Sequence, residues 1–431
     1  MMARRSALIG LLAAEGISIM GSRMSLIALP WLVLTTTGSP ALTGIVAAGE
    51  TVPYVLAGAL GSPLVDRFGA RRASLLADWL SAAVLGAVPF LYHLGPALLL
   101  TLVFVVGGLR GLSDLAKRVL LPHTVRDATM PMTRATALYD GVHRFSALVG
   151  GPVAGVLIAW FGAPVVIGID AGSFAVCAVV VMLTIRRRPD DGDASSTRDP
   201  HSPPEDREPY WTALRRGFRH LRRDRLMLSV MAIMFLVNLF DTAALSVYLP
   251  VWAEQIVGSP LALGLCSGAF AAGALVGNVG IVAFTKRIPR YATLVTGLLI
   301  GGAPRFLAVG TSDSMLLVTL VMFVAGLGLA AVNPIITAVL YERTPTDMQA
   351  RVFGTVTATA FAGMPLGSLL AAWSMPSLGF TASLLLTAAL FFAATVAPLL
   401  DRRTWRQVGS EQRSTNDDRS RPDAARTPTQ R

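Results

Sequence analysis

Twelve apolar runs, each close to the length needed to cross a bilayer, occupy most of this sequence. They cover 7–34, 41–64, 73–92, 96–118, 136–160, 164–185, 226–252, 260–284, 291–309, 313–341, 352–375 and 379–400. A helix crosses the hydrocarbon core with about 20 residues. The short polar breaks between runs are rich in Gly, Pro and Ser, the residues of turns. The expectation is an all-α membrane protein of twelve spans. Composition agrees: 53% of the 431 residues are hydrophobic and 15% charged, against about a quarter charged in soluble domains.

The basic residues predict an orientation. Arg23, Arg110, Arg144 and Arg305 fall inside runs; every other Arg or Lys lies before span 1 or at the far end of an even-numbered span. Loops after odd-numbered spans have none. Positive charge is retained on the cytoplasmic side, so both termini are expected there, in the inner membrane of a bacterium. The same distribution removes nucleic acid as an explanation of the net charge of +11. The apolar run after Arg4 and Arg5 reaches Leu34, longer than the 7–15 residues of a cleaved leader, and reads as a first span. Cys177 and Cys266 sit in separate apolar runs without His at ligand spacing, so no metal site or disulfide framework is expected.

Residues 29–44, LPWLVLTTTGSPALTG, recur as 249–264, LPVWAEQIVGSPLALG. At a constant offset of 220, Leu29, Pro30, Gly38, Ser39, Pro40 and Gly44 meet Leu249, Pro250, Gly258, Ser259, Pro260 and Gly264. Two parallel six-helix halves, a recurrent transporter design, are expected at 1–185 and 226–400. Convergent loop chemistry is the plainer alternative. Between them, 186–209 is charged and Pro-rich, the composition of a disordered linker. Residues 210–225 put Trp211, Leu214, Phe218 and Leu221 on one helical face among arginines, as in a surface helix on anionic inner-leaflet lipid. The polar tail 401–431 is expected to be disordered.

The loop after span 2, GSPLVDRFGARR (61–72), resembles the signature loop of the major facilitator superfamily. Asp66, Arg67, Gly69, Arg71 and Arg72 match it; Ala70 is inserted and the first glycine is displaced to Gly61. The resemblance implies a latch between the halves, two pseudo-symmetric six-helix bundles, and a central cavity lined by spans 1, 4, 7 and 10. Span 5 carries GGPVAG (150–155) and span 11 GMPLGS (363–368). The former resembles part of the motif of drug-exporting members. Gly151, Pro152, Gly155, Pro365 and Gly367 are therefore candidate hinge positions across the interface, or sites of simple close packing. LIALPWLVLTTTGSP (26–40), TRATALYDGVHRF (133–145), IDAGSF (169–174) and RRGFRHLRRDR (215–225) are similar to the drug:proton antiporter branch with macrolide and tetracycline efflux pumps and the enterobactin exporter.

Charges inside the hydrocarbon cost roughly 2.5–3.5 kcal/mol each on insertion scales and mark function by default. Arg23 and Asp241 lie near the middle of spans 1 and 7. Either they face one cavity from opposite halves, with Asp241 binding a proton or a cation, or they form a static ion pair. Asn238, Asp241 and Thr242 share a face, and Asn333 in span 10 joins the candidate pathway. Glu15 is a second proton-carrier candidate. Glu50 suits either protonation or a helix interface. Arg110, Asp114 and Lys117 fall on one face of span 4, as a salt-bridged ladder or, by resemblance, as part of the span-4 proton motif. His143 beside Asp140 and Arg144 reads as structural. Asp78, Asp170 and Arg305 read as packing or snorkelling.

A phosphate loop is absent, which removes an ATP-driven pump, and no H-E-x-x-H or G-x-S-x-G constellation suggests an enzyme. A secondary exporter of small amphiphiles, monomeric, driven by the proton gradient and without a cofactor, is the leading expectation. Export of a siderophore or metabolite, import of a small solute, and a receptor or scaffold role are the alternatives. The topology is testable: with Cys177 and Cys266 replaced by Ser, single cysteines placed after spans 2, 4 and 8 should react with an impermeant thiol reagent only in permeabilised cells.

Overall fold

The computed structural model describes residues 2–128, 130–185, 218–219, 221–222, 224–284, 289–345 and 348–409. Regular structure among them is helical throughout. Twelve helices have the length and apolarity to cross a membrane: Ala7–Thr37, Pro40–Leu60, Ala70–Leu94, Pro96–Arg126, Arg134–Phe161, Ala163–Thr184, Arg225–Val257, Pro260–Ile281, Arg290–Thr311, Met315–Arg343, Val352–Leu378 and Phe380–Leu400. They are numbered spans 1 to 12 below. The all-α, twelve-span class is that expected from the apolar runs.

The turn chemistry is local. Gly38, at φ +64°, reverses the chain after span 1; Ser39 then accepts a hydrogen bond from the Leu42 amide, and Pro40 opens span 2. Positive φ suits glycine, a serine oxygen satisfies an orphan amide, and proline is pre-shaped for the first helical position. The same backbone turn recurs 220 residues later at Gly258, φ +71°. Span 2 ends at Leu60 rather than 64, because Gly61 caps it, and Ser62–Phe68 forms a separate short helix before Gly69, φ +78°.

In the first half, span 1 packs on spans 5 and 6, and span 4 on spans 2 and 3; in the second, span 8 packs on 10 and span 7 on 11. The halves meet through spans 5 and 8 and through spans 2 and 11. Both contacts rest on glycine. A Cβ on Gly155 would lie 2.9 Å from the Gly264 Cα and 3.0 Å from the Pro260 carbonyl, and Gly44 faces Ser368 and Ala372. These positions all lie toward the end of the bundle opposite the termini. Toward the termini end, Gly58, Gly141, Gly280 and Gly354 face open space.

Spans 7, 9 and 10 are not regular. Span 7 contains π-helical turns at Ala244–Tyr248 and Trp252–Ile256, span 9 breaks at Gly302, and span 10 breaks at Ala330 and Ala331. The amphipathic segment 210–225 and the linker lie largely outside the described residues; of that apolar face, Leu221 is buried and Phe218 exposed. The tail expected to be disordered from 401 continues as helical turns at Arg402–Trp405 and Arg406–Gly409, because Trp405 and Val408 are buried against the second half. Residues 410–431 lie outside the described residues. Since Gly155 and Gly264 touch backbone to backbone, Gly155→Val should cost about 1–3 kcal/mol from overpacking, read as a lowered thermal unfolding midpoint in detergent.

Candidate functional site

The intramembrane charges gather into three centres. In the first, Arg110 of span 4 pairs with Glu50 of span 2, and the Tyr54 hydroxyl of span 2 donates to Asp114 of span 4 at 3.0 Å. Spans 2 and 4 come close enough because Gly107 and Gly111 lie against the backbone of Glu50 and Tyr54, the small-residue spacing of tightly packed membrane helices. Arg110, only 12% exposed, is a fixed cation, and Glu50 is its counter-ion.

In the second centre, Lys117 has no exposed surface. Its Nζ lies 3.3 Å from Asp78 Oδ1 and 3.8 Å from Glu15 Oε2. Asp78 also accepts from Ser113 Oγ at 2.6 Å, Cys177 Sγ at 3.3 Å and Ser74 Oγ at 3.4 Å. Glu15 accepts from the Tyr139 hydroxyl at 2.6 Å, and His143 Nε2 stands 3.6 Å from its Oε1. Spans 1, 3, 4, 5 and 6 all contribute.

The third centre lies in the second half. Arg305 of span 9, buried, pairs with Asp241 of span 7 and is surrounded by the rings of Phe306, Phe391 and Phe270 at 4.8, 5.6 and 5.7 Å from the guanidinium carbon. Cation–π contacts of this kind are worth most where water is absent. The Asp241 side chain is 37% exposed. The break at Gly302 turns the span so that Arg305 points inward.

Several expectations are corrected. Asp241 does not face Arg23; it is taken by Arg305, while the charged or ionisable groups around Arg23 are Arg110, Asp114 and Tyr54 of its own half. Neither a static Arg23–Asp241 pair nor a snorkelling Arg305 is found, since a guanidinium in an aromatic cage needs its carboxylate close by. The span-4 face is not a ladder: Arg110, Asp114 and Lys117 each bond to a different neighbour. Asp78 and Asp170 are not merely packing at helix ends. Asp170 is fully buried and accepts from Ser173 at 3.0 Å. His143 turns to Glu15, and Arg144 alone takes Asp140, at 2.7 Å on the surface.

Asn238 and Thr242 bond back along their own helix, to Met234 and to Asn238 respectively. Asn333 is exposed just past the break in span 10. In the signature loop, Asp66, Arg67 and Arg72 are exposed, and Arg71 caps span 6 by donating to the carbonyls of Ile185 at 2.6 Å and Met182 at 3.0 Å. Among the described residues this loop packs on spans 2, 3, 4 and 6 of its own half. Gly151, Pro152 and Gly155 do lie at the interface, against Ser267, Gly268 and Gly264. Gly367, two residues past Pro365, instead packs on Leu239 of span 7, and across the interface it is Ser368 that meets Gly44. Tyr54, Ser113 and Tyr139 were not singled out from sequence. A signal existed for Lys117: it is one of two lysines among 37 basic residues, retained where arginine is the rule.

A recess of about 760 Å³ between spans 1, 5 and 6 is lined by Gly16, Met20, Phe145 and other uncharged residues, so it is separate from these centres.

A family model described as Major Facilitator Superfamily matches residues 11–256 and 231–424. The chain is 26% identical over 397 residues to the multidrug efflux pump Tap of Mycolicibacterium fortuitum, covering 89% of this chain and 92% of that one. It is 21% identical over 401 residues to macrolide efflux protein A of Streptococcus pyogenes, covering 90% and 94%. The crystal structure of the nucleoside transporter NupG superposes with a TM-score of 0.73 at 13% identity, over 91% of this chain and 98% of that one, a likeness of fold.

Removing one partner of a buried ion pair costs about 3–5 kcal/mol, whereas removing both is far milder. Lys117→Met should therefore lower the unfolding midpoint sharply, and Asp78→Asn on that background should recover part of the loss.

Proposed function

We propose that this chain, which belongs to the Major Facilitator Superfamily, is a proton-coupled exporter of small amphiphilic molecules that works by alternating access. Membership makes it a membrane transporter, and relatives named for multidrug and macrolide efflux support export. The proposed setting is a bacterial inner membrane with both termini in the cytoplasm, the chain acting as a monomer and residues 210–225 resting on anionic inner-leaflet lipid.

The observation that carries the substrate class is Asp241. Its carboxylate is partly exposed on a span that abuts spans 1 and 2 of the other half, and Arg305 takes Oδ1 from the buried side. Arginine does not lose its proton in proteins, so Asp241 has a permanent counter-ion in Arg305. It offers its other oxygen to a cationic group, with Phe270, Phe306 and Phe391 behind it as apolar surroundings. Lipophilic cations fit this arrangement. Arg23, which has no carboxylate partner among the described residues, favours a second reading in which an anionic or zwitterionic metabolite is exported.

Cells lacking other pumps and expressing this chain should extrude tetraphenylphosphonium, and a protonophore should stop extrusion. Asp241→Asn should raise the apparent Km for the cation about tenfold, the worth of one charge-assisted contact, while an uncharged substrate is little affected. Extrusion that continues unchanged in the protonophore would remove proton coupling, and an unaltered Km in Asp241→Asn would remove the cation site.

A further inference from the structure

We propose that Glu15 and His143 are the proton-exchange site of this transporter, a buried carboxylate and a partly exposed imidazole sharing one transferable proton, with the Lys117–Asp78 pair as fixed support. This deepens the proton-coupled reading given above and rests on it.

The charge count around the pair decides which group carries the proton. Asp78 has four donors, from Lys117, Ser113, Cys177 and Ser74, and with Lys117 makes a balanced unit that spans 3, 4 and 6 enclose. Glu15 is then the surplus negative charge, with a side chain only 2% exposed. The other charges facing it come from span 4, where Asp114 has Lys117 and Arg110 as the cations about it; from span 5 there are Tyr139 and His143. Lys117 thus serves two carboxylates, and a buried carboxylate with only a shared counter-ion takes up a proton more readily than one with its own. Asp241 and Glu50 have no such surplus, because each faces an arginine.

Hydrogen bonding points the same way. Glu15 Oε2 and His143 Nε2 are both buried without a hydrogen-bond partner. Buried polar atoms are rarely left so, and here the two unsatisfied groups belong to an acid and a base whose nearest atoms are 3.6 Å apart. A proton between His143 Nε2 and Glu15 Oε1, with a closure to about 2.8 Å, would satisfy the imidazole, while Oε2 stands 3.8 Å from the Lys117 ammonium.

Access is the third element. The His143 side chain is 31% exposed, so the imidazole is the connection between open space and the carboxylate. Its ring packs on Tyr139, centroids 4.7 Å apart, and the Tyr139 hydroxyl holds Glu15, which fixes the two relative to each other. Imidazole ordinarily titrates within the range of cell pH. On release, the Glu15 O–H bond breaks as an Nε2–H bond forms. The imidazolium then yields one proton to water at its exposed edge. One proton has left the protein, and the carboxylate that remains is drawn toward Lys117. Loading runs the same steps in reverse.

The purified full-length chain in lipid can be titrated by infrared difference spectroscopy, which reads the protonated-carboxyl band without any substrate. Wild type should show a titrating band that Glu15→Gln removes and Asp241→Asn leaves. His143→Gln should keep the band but move its pH midpoint by about one unit, which a purely structural histidine would not do. A band that survives whole in Glu15→Gln, or a midpoint unmoved in His143→Gln, overturns the proposal; if Glu15→Gln does not fold, His143→Gln decides alone. Protonophore-resistant extrusion of tetraphenylphosphonium by a wild type that shows the Glu15 band would instead sink the coupling reading and leave the proton site standing.

Discussion

Lys117, a cation with no exposed surface, requires the rest of the first half to be built around it. In hydrocarbon, apolar side chains gain nothing by leaving lipid for one another, so helix association depends on close packing and interhelical hydrogen bonds. The ammonium supplies such a centre. Asp78 of span 3 and Glu15 of span 1 are its counter-ions; Ser113 of span 4 and Cys177 of span 6 complete the shell of Asp78; Tyr139 and His143 of span 5 complete that of Glu15. Span 2 is tied in separately through Glu50–Arg110 and Tyr54–Asp114. All six helices of this half are thereby joined by polar contacts, each of which would be expensive to leave unpaired.

The second half is held by other means. Tyr248, Phe240, Phe306 and Phe391 form a run of ring contacts, and the Tyr248 hydroxyl reaches Ser374 at 3.1 Å and Thr387 at 3.0 Å. Spans 8 and 10 approach through Gly273, Gly277 and Gly326. Arg305 is the one deep charge named there, and aromatic faces surround it. The broken spans 7, 9 and 10 belong to this half, whereas spans 1, 4 and 5 run unbroken through the charge network. π-helical turns commonly mark functional sites, and those of span 7 begin three residues past Asp241. The larger network of buried ion pairs thus lies in one half, and the irregular helical backbone lies in the other.

The spans were legible because about 20 apolar residues leave a bilayer-crossing helix no competitor, and Gly-Ser-Pro marked the repeated turn from residue chemistry alone. Identities of the buried charges were legible for the same reason: Glu15, Glu50, Arg110 and Asp241 stand out in apolar surroundings. Their partners were not. Helical periodicity relates residues within one span, so it grouped Arg110, Asp114 and Lys117 on a common face, and Asp140 with His143. Which helix faces that surface depends on glycines such as Gly107 and Gly111, whose effect appears only when two spans are brought together. Arg305 was read as snorkelling because it lies near the end of span 9, and its partner Asp241 stands on a different span.

The contacts between the halves have a register of their own. Gly44 of span 2 lies against Ser368 of span 11, and fourteen residues farther from that contact stand Gly58 and Gly354, both facing open space. On the other side Gly155 of span 5 lies against Gly264 of span 8, but Gly141, fourteen residues away, lines the recess with spans 1 and 6, and Gly280, sixteen away, is turned about 160° round its helix. Fourteen residues of helix measure about 21 Å, so spans 2 and 11 carry small residues at both ends of a long lever. Only glycine-sized surfaces let two helices meet backbone to backbone, and these two spans have such surfaces at either end. A tilt of one half against the other along spans 2 and 11 would bring the second set toward each other.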